Sequence, residues 1–150
     1  MPCHRLNWLA VDIQNSTGFP APVNALADAI RAADGVIFCT PEYNFSIPGW
    51  LKNAIDWVSR LPNQPFAGKP VALQSAAPGP LGGARVQYDL RKAMMFLDAF
   101  TLNEPEIFVG NCASKLDDTT GEIKDETTRG LIKQQLAAFA TFIMRVAPKG

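Results

Sequence analysis

The chain has 150 residues, 47% apolar and 19% charged, a composition able to bury the core of one globular domain spanning residues 1–150. Fourteen Lys and Arg balance fourteen Asp and Glu without a run of like charge, so the positive field needed to bind nucleic acid or an anionic membrane is missing and neither partner is expected. Cys3, Cys39 and Cys112 are odd in number and far apart, and no apolar stretch reaches membrane-spanning length or reads as a signal peptide, which together predict a cytoplasmic protein.

Leu6 to Val11 is the one candidate for a strand ahead of the first helix. Val23, Leu26, Ala27 and Ile30 then fall at i, i+3, i+4 and i+7, which predicts an amphipathic helix from Pro22 to Ala33, stopped by Asp34-Gly35. Gly35 to Thr40 is an apolar run of strand type, with Cys39 read as a small apolar strand residue. A polar turn leads into the next helix, whose stripe is Leu51, Ala54, Ile55 and Val58; Pro48 suits its start, where an amide would be unpaired anyway. Trp57 is expected in the core. Pro62, Pro65 and Pro70 close the unit with a loop.

Val71 to Ser75 is the second buried strand and Pro78 to Gly83 its turn. Val86, Leu90, Ala93, Met94 and Leu97 define a helix of about four turns at 1.5 Å rise per residue. Glu106 to Val109 is the third strand, Asp117 to Gly121 a polar turn, and Ile132, Leu136, Phe139, Ile143 and Val146 line a last helix, with Asp125 suited as its N-cap. Helices alternating with short apolar strands predict an α/β fold with a parallel sheet and right-handed crossovers.

His4 is the only histidine, which leaves nucleophilic triads and zinc sites without the residues they need. The acidic residues Asp117, Asp118, Asp125 and Glu126 lack the spacing of a calcium-binding loop. No metal site and no protein acid, base or nucleophile is therefore expected.

The string PEYNFSIPGWLKNAIDW, Pro41 to Trp57, sits where the first clear strand gives way to a helix. It resembles the hallmark of the NADPH-dependent FMN reductase family, flavodoxin-like enzymes that include quinone, chromate and azo-dye reductases. The resemblance continues through Ser75 to Arg85 and Leu90-Arg91 and covers about residues 12 to 147. It implies a doubly wound parallel sheet, in which ligands bind beyond the carboxyl ends of the strands. In that family a first strand leads to a phosphate-binding loop rich in Gly, Ser, Arg and Asn. No segment here matches it, so the fold is expected to be N-terminally truncated, the strand Gly35 to Thr40 to become a sheet edge, and the chain to be an incomplete gene product or the result of a misplaced start site, with a genuine short form as the alternative.

By that resemblance the main chain of Pro41, Glu42, Tyr43, Asn44 and Phe45 cradles the flavin ring, and the loop carrying Ser75, Ala77, Gly79 and Gly82 lies against it, glycine allowing close backbone approach. Taken alone, each segment also reads as an ordinary turn. Trp50, beside the flavin turn, is expected on a dimer contact, because aromatic residues are enriched at interfaces. Arg85, Tyr88 and Glu106 match residues that join dimers into tetramers in similar reductases; the plainer reading is a solvated surface cluster.

The function implied is an FMN oxidoreductase fed by NADPH or NADH, passing electrons by ping-pong hydride transfer to quinones, chromate, azo compounds or free flavin. Cofactor chemistry of this kind asks for no catalytic side chain. Two alternatives stay open: a non-catalytic flavodoxin-like remnant serving as an assembly subunit, and an electron carrier. The neutral charge speaks against the carrier.

Overall fold

The computed structural model describes residues 8–9, 11–117 and 119–146. Helices α1 (Val11–Thr17) and α2 (Ala21–Ala32) precede strand β1 (Val36–Pro41), followed by α3 (Gly49–Ser59), β2 (Pro70–Ala76), α4 (Ala84–Phe96), β3 (Phe100–Thr101), β4 (Ile107–Val109), α5 (Cys112–Lys115) and α6 (Glu126–Val146).

All strand pairings are parallel. β1 runs beside β2 from Val36 opposite Val71 to Pro41 opposite Ala76. The other edge of β2 is shared: β3 pairs with its start, Pro70 and Val71, and β4 with its end, Gln74 to Ala76. The short β3 had no sequence signal, since two residues are too few to show a period. Among the described residues β1 pairs with β2 alone.

Side chains alternate across a strand, and the two faces of β2 are covered differently. Val71 and Leu73 point into a cluster built with Val23 and Ala27 of α2, Ile55, Trp57 and Val58 of α3, and Val86, Leu90 and Met94 of α4. Trp57 is wholly buried, as its sequence position predicts. Each large aliphatic side chain buried here contributes about 1.5 to 3 kcal/mol. The three helical stripes read from the sequence are thus the three sides of one core. The opposite face takes α6, and with helices on both faces of a parallel sheet the expected doubly wound arrangement is present.

Two helix starts follow the local chemistry. The Pro48 carbonyl accepts the amides of Leu51 (2.9 Å) and Lys52 (3.0 Å), while its missing N–H costs nothing outside the helix. Asp125 caps α6 by accepting the Thr128 amide at 2.7 Å, and hydrogen bonding from Thr128, its side chain first and its amide second, holds the carboxyl below the usual range. The Asp117 turn also forms, its carboxylate accepting the amides of Thr119 and Thr120 at 2.9 Å each.

Three expectations need correction. Of the candidate strand Leu6 to Val11, Trp8 and Leu9 have no regular structure and Val11 opens a helix; Leu6, Asn7 and Ala10 lie outside the described residues. The Leu9 amide donates to Asn53 Oδ1 of α3 at 2.7 Å, so this segment is tied to a helix rather than to the sheet. On α6, Leu136 is exposed and Gln135 is buried in its place. Gln135 Nε2 donates to the carbonyls of Leu73 (3.1 Å) and Pro105 (2.8 Å), and its Oε1 accepts Gln74 Nε2 at 2.9 Å. Full hydrogen bonding removes the penalty of burying the amide, and apolar periodicity cannot foresee that. Cys39, finally, is exposed, with its thiol donating to Gln74 Oε1 at 3.3 Å. No helix among the described residues is long and apolar enough to cross a membrane.

Candidate flavin-binding cleft

β1 ends at Pro41, and the chain reverses at once. The amide of Tyr43 donates to the Ser46 carbonyl (3.1 Å) and that of Ser46 to the Tyr43 carbonyl (3.0 Å), closing a two-residue loop of Asn44 and Phe45. Both loop residues have positive φ, +50° and +66°, the mirror-image turn geometry that two-residue hairpins favour. Asn tolerates this region readily, whereas a bulky aromatic is held there against its preference, an arrangement that clusters at functional sites. Tyr43 and Phe45 are left 55% and 68% exposed, ring surface available to a flat ligand.

Four contacts fasten this turn to α4. Ser46 Oγ donates to Asp89 Oδ2 at 2.7 Å, which, ahead of the bond from Lys92, keeps the Asp89 carboxyl below its ordinary range. Glu42 Oε2 accepts the Val86 amide at 3.1 Å, and Glu42 Oε1 lies 3.4 Å from Arg85 Nη1. The Arg85 guanidinium in turn sits 4.0 Å above the centre of the Phe45 ring, in cation–π distance.

The second loop, Ala77 to Gly83, is pinned to the end of β4. Ala77 donates to the Val109 carbonyl (3.0 Å), and the amides of Asn111 and Cys112 donate back to the carbonyls of Gly79 and Ala77, each at 3.2 Å. The backbones touch so closely that only glycine fits. A Cβ on Gly82 would lie 2.5 Å from the Phe108 carbonyl carbon, and one on Gly110 2.3 Å from the Pro80 carbonyl oxygen.

Ser75 works from beneath. Its hydroxyl is buried, donates to the Gly82 carbonyl at 2.7 Å and accepts Gln87 Nε2 at 2.8 Å, while Gln87 also holds the Ile107 carbonyl at 2.7 Å. The Ser75 side chain therefore shapes the loop from inside and is not free for a ligand. Gln87 escaped the sequence reading because a lone glutamine inside an apolar stripe resembles a surface residue.

Between the two loops lies a cleft of about 270 Å³, to which Glu42, Phe45, Ala77, Gly79, Gly82 and Arg85 contribute. Five of the nine cofactor residues read from the sequence meet there. Pro41 and Ser75 instead border a second cleft of about 190 Å³ on the α6 side, with Cys39, Gln74 and Ile132, while Tyr43 and Asn44 stand on the hairpin outside both. Arg85, expected beside Tyr88 and Glu106, is engaged within this chain by Glu42 and Phe45. Tyr88 and Arg91 each come within 3.5 Å of the Glu106 carboxylate and form a separate cluster. Trp50 lies on the first turn of α3 and is partly exposed.

The residues present fit an isoalloxazine ring. Within the described residues the amides of Asn44, Phe45, Gly79 and Gly83 meet no acceptor. They leave unmet donors at the carboxyl ends of β1 and β2, where a doubly wound sheet binds ligands. Such donors match the carbonyls and ring nitrogens of a flavin edge, and the close-packed glycines present bare backbone to its plane.

The family model for NADPH-dependent FMN reductase matches residues 5–114. The chain is 56% identical over 135 residues to a quinone reductase of Escherichia coli strain K12, covering 90% of this chain and 72% of that protein. An NAD(P)H-dependent FMN reductase of Pseudomonas aeruginosa is 48% identical over 129 residues, 86% of this chain and 69% of the relative. Among solved structures, FerB, a flavoenzyme NAD(P)H:(acceptor) oxidoreductase from Paracoccus denitrificans, superposes with a TM-score of 0.84 at 31% identity, covering 95% of this chain and 78% of FerB.

Proposed function

Because the chain belongs to the NADPH-dependent FMN reductase family, we propose that it is an NAD(P)H-dependent FMN oxidoreductase whose electron acceptors are quinones, chromate, azo compounds or free flavin, and that the cleft between the Pro41 and Ala77 loops holds the flavin ring. The observation that carries the siting is the pair of loops with unmatched amides at the ends of β1 and β2. FMN held there would supply the redox chemistry between a reduced nicotinamide and the second substrate.

The protein's part is to bind and orient. The amides of Asn44, Phe45, Gly79 and Gly83 would offer the ring hydrogen-bond donors from the hairpin and the second loop, and Tyr43 and Phe45 would add aromatic surface. Pro41 sets the start of the hairpin and Ser75 holds the second loop from below. These roles belong to one domain over residues 1–150, and the free thiols of Cys39 and Cys112 suit a reducing cytoplasm.

Purified chain incubated with FMN should retain flavin absorbance through gel filtration and oxidise NADPH or NADH when a quinone is supplied. Loss of the flavin on the column together with no turnover would overturn this reading and favour the non-catalytic assembly subunit.

A single domain leaves the cleft open on one side, and a second subunit packed through the α3 start at Trp50 would supply the missing wall. A further surface for joining dimers runs along α4, where Tyr88, Met95 and Phe96 are 50%, 77% and 87% exposed and Tyr88 reaches the Glu106 carboxylate. Charge-assisted hydrogen bonds at such a joint are worth about 1.5 to 3 kcal/mol each. Light scattering should therefore report a smaller assembly for Tyr88→Ala, and for Arg85→Ala if the arginine leaves Glu42 to reach the joint; unchanged mass for both variants would remove the second surface.

A further inference from the structure

We propose that Glu42 is a positioning residue that clamps the two cofactor loops into one unit by capping helix α4 from outside that helix, an inference about ring placement that rests on the flavin reading above. The first turn of a helix needs acceptors for its free amides, usually from a Ser, Thr, Asp or Asn side chain at the cap. Here the cap is Gly83, and it cannot be any of these. Its φ is +82°, and a Cβ there would lie 2.8 Å from that of Ser75. The same glycine that lets the loop close on β2 leaves α4 without a cap of its own.

Glu42 takes over that task from 44 residues away. Its carboxylate, 11% exposed, accepts the Val86 amide at 3.1 Å with Oε2 and faces Arg85 Nη1 at 3.4 Å with Oε1. A negative group at a helix start is favoured by the helix dipole as well as by the hydrogen bond. Arg85, held on its other side, covers the Phe45 ring at 4.0 Å, and Phe45 is one half of the hairpin tip. The path is closed: Glu42 at the base of the first loop, Val86 and Arg85 just after the second, and Phe45 back at the first. Beside the Ser46–Asp89 bond, this carboxylate is thus the link that joins the base of the first loop to the end of the second.

The test uses the full chain with Glu42→Ala and Glu42→Gln. In the ligand-free protein, hydrogen exchange is followed at the Val86 amide and at the paired amides of Tyr43 and Ser46. Glu42→Ala should speed exchange about tenfold at both places, the size of a lost cap, while β2 stays protected. Titration with FMN should show the same variant binding about tenfold more weakly. Glu42→Gln keeps an acceptor for the Val86 amide and should stay within about threefold of the parent in both measurements, a rescue expected from a cap and not from a bare need for charge. Unchanged exchange at Val86 or at Tyr43 and Ser46 in Glu42→Ala overturns the clamp. Faster exchange with undiminished FMN affinity would confine Glu42 to helix stability and overturn its positioning role. A parent chain that takes up no FMN would defeat the flavin reading instead, and the exchange data would still decide whether the loops are coupled.

Discussion

Asn44→Pro is expected to abolish flavin binding, weakening FMN affinity on the order of a hundredfold or more, the equivalent of losing a donor together with the shape of the turn. Asn44 sits at φ +50°, and proline is locked near −65°, so the hairpin tip cannot close in its present form. The substitution also removes the Asn44 amide, one of the unmatched donors, and undoes the paired hydrogen bonds between Tyr43 and Ser46. Asn44→Gly is the control, since glycine keeps the amide and reaches positive φ freely; its affinity should stay within severalfold of the parent. Fluorescence titration with FMN separates the two. Full affinity in the proline variant would show that the ring is bound elsewhere.

Gly82→Ala should lower stability by about 3 kcal/mol, combining overpacking with the cost of a side chain in the left-handed region, and the melting temperature by about 10 °C. Gly82 has φ +59°, and its added Cβ would meet the Phe108 carbonyl carbon at 2.5 Å and the amide nitrogens of Val109 and Gly110 at 2.7 Å. Those are backbone atoms at the end of β4 and cannot turn aside as a side chain would, so the loop must lift from the sheet, taking the lower wall of the cleft with it. Gly79 is three residues away in the same loop with open space around it, and Gly79→Ala should melt close to the parent. Equal melting temperatures for the two variants would contradict the close approach.

The route from local pattern to element was short in this chain. Val23, Ala27 and Ile30 are buried on α2 as their spacing predicts, the apolar runs before Pro41 and Ala77 are strands, and the Pro41 string marked the turn where the cleft lies. These features depend on a few consecutive residues, and a window of that size contains the whole signal: the period of the apolar positions, a proline at a helix start, a polar pair at a hairpin tip.

The partners of side chains were another matter. Nothing near Glu42 in sequence reveals that it faces Val86, or that Arg85 leaves Tyr88 and Glu106 to stack on Phe45. Nor does anything reveal that Ser75 is consumed by Gln87 and the Gly82 carbonyl, or that Gln135 is buried where Leu136 was expected. The first two were decided when the parallel register of β1 on β2 brought two loops, some forty residues apart, to the same end of the sheet, and the last two when α4 and α6 packed on β2. A hydrogen bond needs its partner within about 3 Å. Only the folded chain fixes separations of that size between residues so distant in sequence, so the elements other than the short α1, β3 and α5 were legible before folding and the construction of the cleft was not.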